Sequence, residues 1–142
     1  MALFLESIGH VGLRVVDRER SLAFYAKLGF TELAWYPPPR VSILKNDAGI
    51  ELNLIVNGEA SDAGNVLMDV PEKHPGITHV AFAVANIEAT LAALHEAGIT
   101  VSEGPVSLGE NYVALFVRDP DRNVIELGQK LWRAGDIKRG IP

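Results

Sequence analysis

The chain contains no cysteine. That excludes disulfides, thiolate nucleophiles and cysteine-based zinc sites. No apolar run approaches the ~18 residues that a membrane-spanning helix needs. Positive charge is also scarce: 13 Lys and Arg stand against 18 Asp and Glu, for a formal net charge of -5. The one basic cluster, Lys130, Arg133, Lys138 and Arg139, lies near the C-terminus with Asp136 among it. A general nucleic-acid surface is therefore not expected. The opening MALFLESIGH has no basic stretch and reaches Glu6 early, so no signal peptide is expected either, and a cytoplasmic setting without a membrane partner is the default.

What remains is ordinary globular material. With 142 residues, 48% hydrophobic and 22% charged, the chain is long enough to bury a core as one domain or two packed halves.

The halves are visible as a repeat. Displaced by 69 positions, Ile8–Thr31 aligns with Ile77–Thr100 without a gap, and nine of the 24 pairs are identical, among them His10/His79, Val15/Val84 and Gly29/Gly98. Each copy alternates as a half-buried strand does (HVGLRVV, HVAFAVA). Asp17 and Asn86 then stand at N-cap positions, where their side-chain oxygens can accept free helical N–H groups. Helices are predicted over Arg18–Leu28 and Ile87–Ala97. Leu22, Phe24, Tyr25 and Leu28 form the apolar face of the first, and Ile87, Leu91 and Leu94 that of the second. Gly29 and Gly98 follow as C-terminal caps. The copies also end alike in sequence: GIELNLIV (Gly49–Val56) and NVIELGQK (Asn123–Lys130) share Ile-Glu-Leu, and turns at 46–49 and 119–122 precede them. Each half reads β-α-β-β-β. The first module spans 5–56, a linker 57–76, the second module 77–130 and a tail 131–142. Within 105–112, PVSLGENY reads as a loop.

Each module thus offers a histidine at the start of its first strand and a glutamate in its last: His10 with Glu51, and His79 with Glu126. Taken singly, any of these reads as a capped strand end or a carboxylate on a wet face. Imidazole nitrogen and carboxylate oxygen together suit a divalent first-row metal, and four such donors with open positions make a catalytic centre. In both strands the glutamate points away from its apolar neighbours.

HVGLRV with SLAFYAKLGF, HVAFAV, and DPDRNVIEL together resemble the vicinal oxygen chelate superfamily over nearly the whole chain. That superfamily includes glyoxalase I, extradiol dioxygenases, methylmalonyl-CoA epimerase, fosfomycin-resistance transferases and bleomycin-binding proteins. The resemblance implies an α+β fold in which two β-α-β-β-β modules form a cupped mixed sheet around one divalent ion. In ligand pattern the chain is most similar to glyoxalase I, so His10, Glu51, His79 and Glu126 are the expected metal ligands, with nickel, cobalt or zinc ahead of iron and manganese. Glu126 and Glu51 are then the expected proton carriers in lyase or isomerase chemistry through an enediolate. Two rival expectations stand. An iron-dependent extradiol dioxygenase would use His10, His79 and Glu126 alone, and a binding or resistance protein would turn nothing over. Short members of the superfamily often pair modules across a homodimer, and a homodimer with shared sites is expected here.

The resemblance stops at glutathione. Arg14 matches a glutathione-contacting arginine, but the asparagine expected four residues after Glu51 is Ile55, and Pro75 stands where a basic residue often precedes the second histidine. Arg14, Asn53, Tyr112 and Phe116 are the candidate substrate contacts. Tyr112 and Phe116 lie on the strand where extradiol dioxygenases carry a tyrosine. Arg122 replaces the glycine of the family's DPDG turn. If φ is positive there, arginine costs about 1 kcal/mol. His74 in the linker is a further candidate, and His95 is expected to be exposed late in the second helix. WYPPPR (Trp35–Arg40) reads as a stiff edge segment. Leu131 and Trp132 are expected to anchor the tail to a partner.

Overall fold

The computed structural model describes residues 1–131; the expectations for Trp132 and for the basic cluster beyond Lys130 fall outside the described residues. In chain order the elements are β1 (Val11–Arg14), α1 (Arg18–Lys27), β2 (Thr31–Tyr36), β3 (Val41–Lys45), β4 (Glu51–Ile55), β5 (His79–Ala83), α2 (Ile87–Glu96), β6 (Val101–Ser107), β7 (Tyr112–Arg118) and β8 (Val124–Lys130). They form two mixed four-stranded sheets, ordered β1-β4-β3-β2 and β5-β8-β7-β6. In each, the first strand runs parallel to the last, and the other pairs are antiparallel. The helix between the first two strands of each module makes that parallel start possible, since parallel strands need a long crossover. The fold is α+β, two β-α-β-β-β modules.

The helix signals act as the sequence predicts. Asp17 accepts from the N–H of Arg20 and Asn86 from that of Ala89, each at 2.8 Å. Gly29 and Gly98 then take φ of 90° and 72°, where a side chain would be strained. The apolar faces hold Tyr25 in α1 and Ile87 and Leu94 in α2 as buried residues.

The described residues divide into two compact units, Met1–Val70 with the turn Asp119–Asp121, and Pro71–Arg118 with the described residues from Arg122. In the first unit Leu44, Leu52, Leu54 and Val56 alternate along β3 and β4 into a core with Val15, Tyr25 and Phe30. Each such aliphatic side chain contributes about 1.5–3 kcal/mol by leaving water. The buried Tyr25 hydroxyl donates to Asp119 at 2.7 Å, and burial followed by the Asp119 charge drives its pKa far up. Arg20 pairs with Asp121 at 2.7 Å. Arg18 donates to Glu32, as does the buried hydroxyl of Ser42, and the Arg18 guanidinium lies 4.6 Å over the Trp35 ring. WYPPPR is the β2–β3 turn on the edge of its sheet, and Arg40 there donates to the Val56 carbonyl at 2.7 Å. In the second unit the core comprises Ile87, Leu94, Ile99, Leu115, Val117, Ile125 and Leu127.

Two expectations need correction. Residues 105–107 are strand rather than loop: β6 runs on through Pro105 to Ser107. It is an edge strand with register shifts, where a missing N–H is tolerated.

The second correction concerns the shared Ile-Glu-Leu, which does not mark equivalent places. Lys45 pairs with Glu51 across one hairpin and Arg118 with Val124 across the other, each pair enclosing five residues. The N–H of Val15 donates to the Ile55 carbonyl and that of its repeat mate Val84 to Gly128. Gly12 pairs with Asn53 and its mate Ala81 with Glu126. The positive-φ turn residues, Gly49 and Arg122, fall at matching places as well. By every one of these marks the counterpart of Glu126 is Asn53, that of Glu51 is Val124, and that of Gly128 is Ile55. Hydrogen-bond register, not a shared tripeptide, decides which residues correspond.

Candidate metal centre

The face of each sheet away from its helix carries the candidate residues. In the first module this face presents His10, Gly12 and Arg14 along β1, Glu51, Asn53 and Ile55 along β4, and Ile43 and Lys45 on β3, as register and alternation require. His10 Nδ1 lies 3.7 Å from Glu51 Oε2, with the two side chains 51% and 28% exposed. Asn53 sits between Gly12 and Ile43, and its Oδ1 is buried without a hydrogen-bond partner. Arg14 donates from Nε to Asn57 Oδ1 at 3.0 Å.

In the second module the same face presents His79 and Ala81 on β5, Glu126 and Gly128 on β8, and Tyr112, Ala114 and Phe116 on β7. His79 Nε2 lies 3.6 Å from Glu126 Oε1, and the Glu126 side chain is only 10% exposed. The other ring nitrogen of His79, Nδ1, is 2.8 Å from the Thr78 hydroxyl. Phe116 meets the His79 ring edge-on at 6.2 Å between centroids. The Tyr112 hydroxyl donates to Glu126 Oε2 at 2.6 Å. Burial, and then the hydrogen bond to Glu126, push the Tyr112 phenol up to about 12, so it remains a donor at neutral pH. Its ring crosses Gly128 so closely that a Cβ there would come within 1.7 Å of the hydroxyl.

The four expected ligands are thus brought together as two pairs, one in each unit. Among the described residues no three His, Asp or Glu side chains converge. The donors present fit a divalent ion. Each pair is closer than the ~4 Å that two bonds of ~2.0–2.2 Å can span. In the second pair Thr78 also occupies the ring nitrogen that faces away, which is how a metal-ligating imidazole is held. His74 pairs with Glu72 at 3.4 Å on an exposed stretch, and His95 is exposed. Sequence reading missed Thr78 and Gly128. Thr78 was detectable as the residue before His79, where the first copy has Gly9. Gly128 was detectable as the position two beyond Glu126, on the same face of its strand.

Comparison with known proteins agrees with this architecture. The profile of the Glyoxalase/Bleomycin resistance protein/Dioxygenase superfamily matches residues 7–127. A glyoxalase family protein from Enterococcus faecalis is 29% identical, with a TM-score of 0.68 over 89% of this chain and 99% of that one. Two further structures share the fold. A putative glyoxalase family protein from Bacillus anthracis has 21% identity and a TM-score of 0.68 over 92% and 99% of the two chains. A glyoxalase/dioxygenase from Nostoc punctiforme has 22% identity and a TM-score of 0.66 over 92% and 98%. No curated protein matches in sequence. Among the described residues no helix is long and apolar enough to cross a membrane.

Proposed function

Because the chain belongs to the glyoxalase/bleomycin resistance protein/dioxygenase superfamily, we propose that it is a divalent-metal-dependent lyase or isomerase of the glyoxalase I kind, acting on a small molecule with oxygens on adjacent carbons. The observation that carries this reading is the buried Glu126 carboxylate 3.6 Å from Nε2 of His79. A carboxylate taken out of water beside an imidazole needs a cation or a proton to compensate it.

His10, Glu51, His79 and Glu126 are the residues that would hold one ion per centre, with nickel, cobalt or zinc favoured. A bound ion would supply Lewis-acid stabilisation of the negative charge that develops as the substrate loses a carbon-bound proton to give an enediolate. Glu126 would carry that proton from one carbon to its neighbour at Oε1, once that oxygen is released from the ion. Glu51, more exposed, is the second carboxylate able to carry a proton. Thr78 fixes the His79 ring, and Ala81 and Phe116 flank Glu126 on the neighbouring strands. We assign a complete centre to a homodimer, one His–Glu pair coming from each copy. Two features support this assignment: each unit brings two of the four expected ligands together, and the repeat mates Ile8 and Ile77, two residues before each histidine, are 84% and 88% exposed. Apolar side chains so placed are suited to burial by a partner.

One observation favours a second reading. Asn53, not Glu51, holds the place of Glu126, so the register-matched set is two histidines and one carboxylate, a pattern that suits ferrous iron in oxygenases.

Elemental analysis of protein purified without an affinity tag, then titration of the stripped protein with nickel, zinc and ferrous iron, separates the readings. Preference for nickel or zinc, with turnover of a hemithioacetal or an epimerisable substrate, supports the lyase. Iron alone, with oxygen uptake on catechols, supports the dioxygenase. No metal under any condition removes both and leaves a binding protein. Light scattering of wild type and Ile8→Asp tests the dimer, which the charge should dissociate.

A further inference from the structure

Glu126 has two oxygens, and the structure treats them differently. Oε1 faces His79, whereas Oε2 accepts the Tyr112 hydroxyl at 2.6 Å. The donor reaches Oε2 because of two features of β7 and β8. β7 spans seven residues, Tyr112–Arg118, against five in β3, Val41–Lys45, so it extends far enough to present a tyrosine beyond Ala114. Gly128 then leaves an open floor for the ring, which lies where any side chain at 128 would be. In the first module the counterpart of Gly128 is Ile55, and β3 has not yet begun at the place that matches Tyr112.

We propose that Tyr112, seated on Gly128, is a positioning residue that confines Glu126 to a single working oxygen, Oε1. This rests on the metal-dependent reading above. A carboxylate with both oxygens available can take two positions on a cation, as bidentate glutamates do. A substrate presenting adjacent oxygens needs two positions for itself. Four protein donors, each using one atom, leave two positions of six; a two-oxygen Glu126 leaves one. The phenol therefore reserves space for the second substrate oxygen, and it holds Oε1 toward the imidazole with a hydrogen bond to a charged acceptor, among the stronger kinds. Tyr112, considered from sequence as a substrate contact, acts here through Glu126.

The test is titration of the metal-free protein with cobalt(II) chloride, followed by visible ligand-field absorption, in wild type, Tyr112→Phe and Gly128→Ala. Phenylalanine keeps the ring and removes only the donor; alanine displaces the ring. Both variants are expected to give the same new spectrum, displaced from that of wild type, as Glu126 takes a second of the six positions. Loss of a supporting hydrogen bond of this kind changes metal affinity about 10–100-fold, and a shift of that size is expected with it. A merely structural tyrosine would leave the spectrum of folded Tyr112→Phe identical to wild type, and that result overturns the proposal while leaving the metal reading intact. Wild type that gives no cobalt spectrum overturns the metal reading, and this proposal with it.

Discussion

The two modules share strand order, helix caps and hairpin loop length, yet they place their polar groups on opposite faces. In the first, the well-satisfied cluster is on the helix-covered face: Arg18, Glu32 and Ser42, with Trp35 beneath the guanidinium. Its other face has a half-exposed His10, a Glu51 that borders it through Nδ1, and an Asn53 oxygen with no partner. In the second, the helix-covered face is aliphatic except for Gln129, which accepts from the Ile87 N–H at 2.8 Å, and the side-chain pairs gather around His79 and Glu126 instead. Thus one copy of a duplicated module has a prearranged imidazole–carboxylate pair, while the other has the same residue types in a looser setting. Preorganisation of this kind distinguishes a working group from an auxiliary one.

The largest effect that this contrast predicts is on metal affinity. Glu126→Ala should weaken binding more than about 100-fold, beyond the range for supporting residues, whereas Glu51→Ala should cost about 10-fold. Isothermal titration of the two variants with nickel checks the ratio. Equal losses would mean that the modules contribute alike despite their register, and no loss at Glu51 would point to the two-histidine, one-carboxylate set. Next comes stability. Gly128→Ala forces the Tyr112 ring aside and should cost about 1–3 kcal/mol, as overpacking does, whereas Ile55→Ala at the counterpart position has no ring to displace and should lose only the packing of a half-buried side chain. Urea denaturation compares them.

Much of this was legible in the sequence, and the illegible part has a physical cause. Helix starts and stops were readable because caps act locally: Asp17, Asn86, Gly29 and Gly98 do their work within a turn of where they stand. The histidines were readable because the repeat aligns them without a gap. The glutamate beside each histidine was readable too, Glu51 for His10 and Glu126 for His79, but whether the two glutamates hold equivalent places was not, since that depends on register between strands some forty residues apart, which backbone hydrogen bonds fix and composition does not. The repeated Ile-Glu-Leu therefore suggested an equivalence between Glu51 and Glu126 that the pairing of Gly12 with Asn53 and Ala81 with Glu126 replaces. Tyr112 and Gly128 were harder still, because neither is informative until the ring of one is seen to occupy the space left by the other.

A smaller effect separates the modules in acid. Arg18 holds the Glu32 carboxyl below its ordinary value, chiefly through their hydrogen bond. A lowered folded-state pKa means that Glu32 contributes stability fully above the unfolded value and loses it as pH falls through the folded one. Wild type should therefore lose stability below about pH 4, near the ordinary glutamate pKa, more steeply than Glu32→Gln. Urea midpoints between pH 7 and 3 measure the two slopes, and parallel slopes would remove Glu32 from the acid limb.

The smallest effect lies in the hairpin turns, where the modules are most alike. Gly49 and Arg122 occupy matching places with φ of 84° and 65°. Arginine in the left-handed region is strained by roughly 1–2 kcal/mol, and glycine forgoes about 0.5–1 kcal/mol through the entropy of the unfolded chain. Arg122→Gly should therefore stabilise by a few tenths to about 1 kcal/mol on these scales. Its carbonyl, which accepts from Arg118 at 3.0 Å, is kept. Gly49→Arg should destabilise by a similar amount, since a Cβ at Gly49 meets nothing within 4 Å and only backbone strain is added. Opposite signs and like magnitudes in urea denaturation would show that the two turns are one structure with two residues in it. Equal signs would mean that the Arg122 side chain contributes something the glycine turn lacks.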